Sequence, residues 1–263
     1  MNYYKYRRSN MKKLLKFNLN MGMTHLIQGL IMILISMHAD KVAEFKPTIY
    51  SYFLKFDPET MKLVTDVKKL FDLPFAFLVS LFLILSALFH FIIVYNKEKY
   101  GDDLEKGINE FRWYEYALSS SLMITLIAVL FGVYDIGALI LIFGLNASMN
   151  LFGLLMEKIN QNTDTVDWKS FIFGSIAGII PWIVVVMYAF GNSNPTEVPW
   201  FVYAVFASYF VFFNLFPINM ILQYKKIGKW RDYIYGERVY IILSLVAKTI
   251  LAWLVFFGIM QPV

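Results

Sequence analysis

The chain has no cysteine and only three histidines. The first absence excludes disulfides, thiolate nucleophiles and cysteine-held zinc or iron–sulfur centres. The second leaves little for a metal site, and none is expected. Charge is scarce as well: 16% of the 263 residues are charged, against about 25% in an ordinary soluble domain. Apolar residues make up 59% and aromatics 18%, and the mean hydropathy is +0.56. That balance excludes a water-soluble fold and intrinsic disorder alike. A net charge of +5 points to nucleic acid only when one face of a soluble domain carries it, so no nucleic-acid partner is expected.

What the chain does have is long apolar runs, at about 15–37, 73–95, 112–133, 136–156, 170–190, 200–222 and 239–260, each close to the length that a bilayer core demands. Backbone groups in hydrocarbon must be satisfied within the span. Seven such runs with short polar loops therefore predict one all-α seven-transmembrane bundle over residues 1–263, multi-pass in a cell membrane, with the lipid bilayer as its partner. The first run follows a basic stretch, Lys5 to Lys16, but contains Asn18, Asn20, His25 and Gln28 and lacks a small-residue cleavage site. It reads as a retained helix rather than a signal peptide. Of the 24 Lys and Arg, 17 fall in the N-terminal segment and in the second, fourth and sixth loops. Basic flanks face the cytoplasm, which predicts the N-terminus inside and Gln261-Pro262-Val263 outside. In the long first loop, about 38–72, alternation over Ile49 to Phe56 and Met61 to Val67 flanks Asp57-Pro58-Glu59-Thr60. This predicts a β-hairpin with its turn at Asp57-Pro58, and its strand edges predict docking on the bundle or on a second subunit.

Lys248 falls near the middle of the last span, with Ser244 one turn before it. A cation there costs about 2.5–3.5 kcal/mol on insertion scales, so it must face the bundle interior and find a partner. Glu115 is the candidate, as the acid that lies clear of the loops, and Arg112, Glu115, Ser119 and Met123 share one helical stripe. At about 4 Å and an effective dielectric near 20, opposite charges attract by about 4 kcal/mol, enough to offset the insertion cost. Arg112 is expected to hold Glu115 ionised or to close the path to it, with Glu237 or Tyr233 as its own partners. Helical rise brings His25 and His90 to the level where Glu115 and Lys248 meet. Ser86 shares a face with His90, and Gln28 nearly shares one with His25. These residues predict a small hydrated cavity able to take up a proton. A structural ion pair and helix-packing histidines are the plainer readings of the same residues.

Seven spans, a mid-span lysine in Ser-Leu-Val-Ala-Lys and an Arg-x-x-carboxylate on span three resemble a microbial rhodopsin. The inside N-terminus, the string Arg112-Trp113-Tyr114-Glu115-Tyr116, His25, His90 and the strand character of the first loop resemble heliorhodopsins more specifically, over essentially the whole chain. The resemblance implies all-trans retinal on Lys248 as a protonated Schiff base, with Glu115 as counterion and Ser244 and Ser119 hydrogen-bonding nearby. It implies a chromophore pocket that draws on Ser120, Met123, Asn146, Pro181, Trp182, Phe213, Phe216 and Pro217. His25, Gln28, Ser86, His90, Arg112, Tyr116, Tyr233 and Glu237 would then form the proton cavity and its gate. Phenylalanines stand where ion pumps commonly have Trp-x-x-Tyr-Pro. With the hairpin, the resemblance also implies a homodimer, while the basic sixth loop suggests a cytoplasmic signalling partner.

The expected function is a light sensor rather than an enzyme. A proton pump needs a second carboxylate further along span three, and here the stripe from Glu115 continues through Ser119, Met123 and Leu126. Two alternatives stay open: a light-gated proton or cation path, and an enzyme that uses Lys248 and Glu115 without a chromophore. The basic sixth loop, Lys225 to Arg231, suits anionic lipid or a protein partner.

Overall fold

Inside a bilayer no water is available to a stray N–H or C=O, so each apolar run closes its backbone on itself. The computed structural model describes residues 2–191 and 200–259, except for the side chains of residues 2–10 and 162. The basic side chains of Lys5, Arg7 and Arg8 and the end Gln261-Pro262-Val263 thus lie outside the described residues. Among the described residues, seven helices are long and apolar enough to cross a membrane. They are α1 (Asn2–His38, its apolar part beginning at Met11), α3 (Phe75–Tyr95), α5 (Glu110–Leu130), α6 (Ile136–Ile159), α7 (Lys169–Phe190), α8 (Trp200–Tyr224) and α9 (Tyr233–Gly258). Two extensions beyond the expected spans bear on the site. The α6 helix continues to Ile159 instead of 156, and α9 begins at Tyr233 instead of 239, which moves Glu157, Tyr233 and Glu237 from loops onto helices.

Short polar side chains set the helix starts. Asn109 caps α5 by accepting from Arg112 N at 3.1 Å, Asp135 caps α6 from Ala138 N at 2.8 Å, and Asp232 caps α9 from Ile234 N at 3.0 Å. Around the bundle, α1 packs on α3, α3 on α5, α5 on α6 and α6 on α7; α8 packs on α9, which closes back on α3 and α1. Aromatic rings fill the remaining seam, with Trp182 of α7 against Phe206, Tyr209, Phe210 and Phe213 of α8.

The loop after α1 holds a short helix, α2 (Asp40–Glu44), and the hairpin β1 (Thr48–Asp57) with antiparallel β2 (Lys62–Asp72). Asp57 makes the turn by accepting from Glu59 N at 3.0 Å and from the Thr60 hydroxyl at 2.7 Å. The hairpin root is fixed to the bundle: Ile49 is fully buried and Tyr50 N donates to Tyr134 O at 2.9 Å. Beyond the root, Tyr52, Leu54, Phe56, Leu63 and Val67 alternate onto one exposed face. At the opposite end of the bundle, α4 (Lys97–Glu105) joins α3 to α5.

The buried stripe of α1 is Leu14, Asn18, Gly22, His25, Gly29 and Met32, spaced three and four apart. Its glycines let α1 lie close on α3: a Cβ at Gly29 would sit 2.8 Å from Ile84 Cγ1 and 3.3 Å from the Ser80 carbonyl oxygen. Gly29→Val should therefore destabilise the bundle by about 1–3 kcal/mol through overpacking. Thermal unfolding in detergent measures this, and an unchanged midpoint would mean that α1 can draw back at no cost.

Candidate functional site

The site begins with an ammonium in a greasy helix. Lys248 lies midway along α9, 4% exposed, and is paired with the Glu115 carboxylate of α5, 6% exposed. Ser86 of α3 completes the group. Its hydroxyl donates to Glu115 Oε1 at 2.9 Å and accepts from Lys248 Nζ at 2.8 Å. The rings of Tyr116 and Phe82 stand 5.1 and 5.7 Å from Nζ and close the remaining sides. Three helices thus supply cation, anion and bridge.

From Lys248 a cavity of about 470 Å³ extends between α5, α6, α7 and α8. Its wall is apolar and aromatic, including Phe82, Met123, Trp182, Phe213, Phe216 and Pro217, with Ser120 and Asn150 as its polar spots on α5 and α6. That volume lies in the range of cofactor pockets, about 300–1,000 Å³. Ser120 accepts from Asn146 at 2.8 Å and from Asn150 at 3.0 Å, and itself donates to Tyr116 O at 2.7 Å, which pins α6 to α5.

A second buried charge cluster lies nearer α4. Arg112 is paired with Glu157 of α6 and Glu237 of α9, and all three side chains are at most 4% exposed. Every remaining lobe is met. Glu157 also accepts from Trp113 Nε1 at 2.7 Å, Asn109 N at 3.0 Å and the Tyr233 hydroxyl at 3.2 Å. Glu237 also accepts from Asn109 Nδ2 at 2.6 Å and the Tyr100 hydroxyl at 3.1 Å. The guanidinium stacks 4.1 Å from the Tyr240 ring centroid. The carboxylates are thus fully met, as buried charges require, while Arg112 Nε has no hydrogen-bond partner among the described residues. Between the two charge centres lies a small cavity of about 30 Å³, room for water, whose lining includes Ser86, His90, Glu115, Arg112, Glu237 and Ser244.

The family model for Heliorhodopsin matches residues 14–260, nearly the whole chain. The chain belongs to the heliorhodopsin family. Among curated proteins, none matches it. The family implies a retinal chromophore. The residues present fit such a ligand: an apolar cavity of the right size has one buried primary amine in its wall, with a carboxylate beside that amine.

Set against this heliorhodopsin, the expected residues divide. Lys248, Ser120, Met123, Tyr116, Trp182, Phe213, Phe216 and Pro217 border the large cavity. Pro181, inside α7, and Asn146, on α6, are buried behind it. Ser119 stands against Glu115 without closing a well-shaped hydrogen bond. Ser244 lines the small cavity, and the hydroxyl on Lys248 is that of Ser86. His90 also lines the small cavity and pairs through Nδ1 with Asn18 Oδ1 at 2.8 Å. His25 stacks on His90 at 5.7 Å between ring centroids, with neither ring nitrogen partnered among the described residues. Gln28 departs from expectation: it turns away to accept from Trp253 Nε1 at 3.0 Å. Arg112 pairs with Glu237, as expected, and also with Glu157, and it forms no ion pair with Glu115 among the described residues. Tyr233 binds Glu157.

Glu115 is also not the lone acid within the spans, since Glu157 and Glu237 are as deeply buried. Sequence reasoning missed Glu157, Asn109, Asn18 and Tyr100. A span drawn to 156 stops one residue short of Glu157, and only tertiary contacts reveal the others, Asn109 and Tyr100 on Glu237 and Asn18 on His90.

The doubly paired arginine carries a direct consequence. Arg112→Gln strands two buried carboxylates and should cost about 3–5 kcal/mol. Adding Glu157→Gln and Glu237→Gln should restore most of that loss. Thermal unfolding of the single and triple variants tests the pairing, and an equally unstable triple variant would contradict it.

Proposed function

We propose that this protein is a light-sensing retinal protein that runs an intramolecular proton transfer and does not pump. Membership of the heliorhodopsin family suggests a retinal-binding, light-sensing rhodopsin, and the family is not a known class of enzymes. The observation that carries the finer reading is the Lys248–Glu115–Ser86 group set in the wall of a large apolar cavity.

Retinal joined to the Lys248 amine supplies light absorption and photoisomerisation. The protein's own residues do the rest. The apolar wall formed by Met123, Trp182, Phe213 and Phe216 excludes water and orients an elongated ligand. Glu115 neutralises the positive charge on the Lys248 nitrogen and so controls the energy of the dark state. Ser86 holds the Glu115 oxygen in register with that nitrogen. When the nitrogen's proton is released, the polar route open to it runs through the small cavity bordered by His90, Ser244 and Arg112.

The non-pumping reading is supported by a one-sided distribution of charge. Among the described residues, the buried charged side chains are Asp103, Arg112, Glu115, Glu157, Glu237 and Lys248. Beyond Lys248 toward the hairpin, the interior is Met123, Leu126, Ile127, Leu251 and Val255. Among the described residues, the buried carboxylates and histidines lie level with Lys248 or on its α4 side. With the basic loops at the α4 end, the orientation proposed is N-terminus inside and C-terminus outside. Pairing of two copies through the uncovered hairpin face belongs to the same reading.

Reconstitution with all-trans retinal should give a visible band that borohydride traps on Lys248 and that Lys248→Ala abolishes. Glu115→Gln should move that band strongly and weaken the hold on the nitrogen's proton. Illuminated cells under voltage clamp should show no photocurrent. A sustained current would replace this reading with a light-gated path, and an unchanged Glu115→Gln spectrum would remove Glu115 from the role.

A further inference from the structure

Tyr100 is fully buried, yet it belongs to α4, a helix of nine residues outside the spans. The helix inserts Tyr100 and Leu104 among Leu14 of α1, Ile93 of α3 and Ile241 of α9, while Lys97, Glu98, Asp102 and Glu105 face outward. At the surface Lys99, half exposed, pairs with Glu110 of α5 at 3.0 Å and, within α4, with Asp103 at 2.7 Å. Exposed pairs of this kind hold a helix weakly.

The Tyr100 hydroxyl is held differently. It donates to the buried Glu237 carboxylate at 3.1 Å and is approached by Asn18 Nδ2 at 3.5 Å. Through Glu237 it meets the Arg112 cluster, and through Asn18 it meets His90, which borders the same small cavity as Glu115. One phenol on a helix outside the membrane therefore stands where both polar branches from the site converge. A packing residue needs no hydroxyl there, and a phenylalanine would fill the same space.

We infer that Tyr100 is a positioning residue that ties α4 to the buried charge network, so that a change of charge at Glu115 or Glu237 emerges at the surface as a loosening of α4. This rests on the light-sensing reading and names the element that carries its output. Burial and the neighbouring Glu237 charge hold the phenol pKa well above 10, so Tyr100 stays a donor. Its bond to a carboxylate is charge-assisted and weakens when that carboxylate loses its charge.

The test is hydrogen–deuterium exchange over residues 97–106 in the full chain in nanodiscs, in darkness and under illumination, with β2 as internal control. In darkness, Tyr100→Phe and Glu237→Gln should each speed exchange in α4 about tenfold, as expected for loss of a charge-assisted bond, without moving β2. Illumination should speed α4 in the unmodified protein and add nothing in Tyr100→Phe, whose visible band should stay in place. Infrared difference spectra with ring-labelled tyrosine should show a light-induced phenol band that Tyr100→Phe removes. Dark exchange of Tyr100→Phe equal to the unmodified protein would overturn the inference and leave Tyr100 as packing. So would a coloured protein whose α4 ignores light. A protein that forms no pigment would instead defeat the light-sensing reading, while the dark comparison would still decide the tie between Tyr100 and α4.

Discussion

A positive charge in the middle of an oily helix has to be met on the spot, and the meeting of Lys248 with Glu115 organises the rest of this molecule. It demands that α9 and α5 lie side by side, that α3 bring Ser86 between them, and that water be kept out by Phe82 and Tyr116. The gain is local and the geometry narrow: one carboxylate oxygen serves both the amine and the serine. The large cavity then acquires a charged point in a wall made mainly of apolar and aromatic side chains.

From that point the interior divides into unlike halves. Toward the hairpin the core is aliphatic and aromatic, and the α7–α8 seam is closed by rings stacked on Trp182. Toward α4 the core is threaded with carboxylates, an arginine, asparagines and tyrosine hydroxyls. Polar groups in hydrocarbon are tolerated where they satisfy one another, and here each carboxylate of the Arg112 cluster accepts from at least three donors. The asymmetry gives the site a direction.

How much of this was legible before the fold was known varies with the range of the interaction. Span existence, the hairpin and its Asp57 turn rest on local periodicity and turn chemistry, and sequence shows those well. The Lys248–Glu115 pair was legible because a charge in a long apolar run is conspicuous and must be answered. The partners of Arg112 were only half legible. Glu237 lay at a margin where a loop and a helix start look alike, and Glu157 fell one residue past a span end drawn by hydropathy. Gln28 shows the converse: its spacing from His25 suited the cavity, but Trp253 on α9 offered an indole N–H that no pattern on α1 announces. Ser86 was placed in the right region and given too small a part, since its position between amine and acid depends on how three helices pack.

The double pairing of Arg112 also clarifies why Glu115 can serve a single partner. An arginine one turn away on the same helix would ordinarily compete for that carboxylate. Glu157 and Glu237 take up both ends of its guanidinium, while Tyr240 and Trp113 cover its face. Buried ion pairs of this kind seldom add net stability over well-packed apolar side chains, so stability alone does not account for the cluster. Its effect is electrostatic isolation. With Arg112 bound elsewhere, the charge beside the Lys248 nitrogen is set by Glu115 and tuned by Ser86, and the Arg112 cluster stands apart from it across a water-sized cavity.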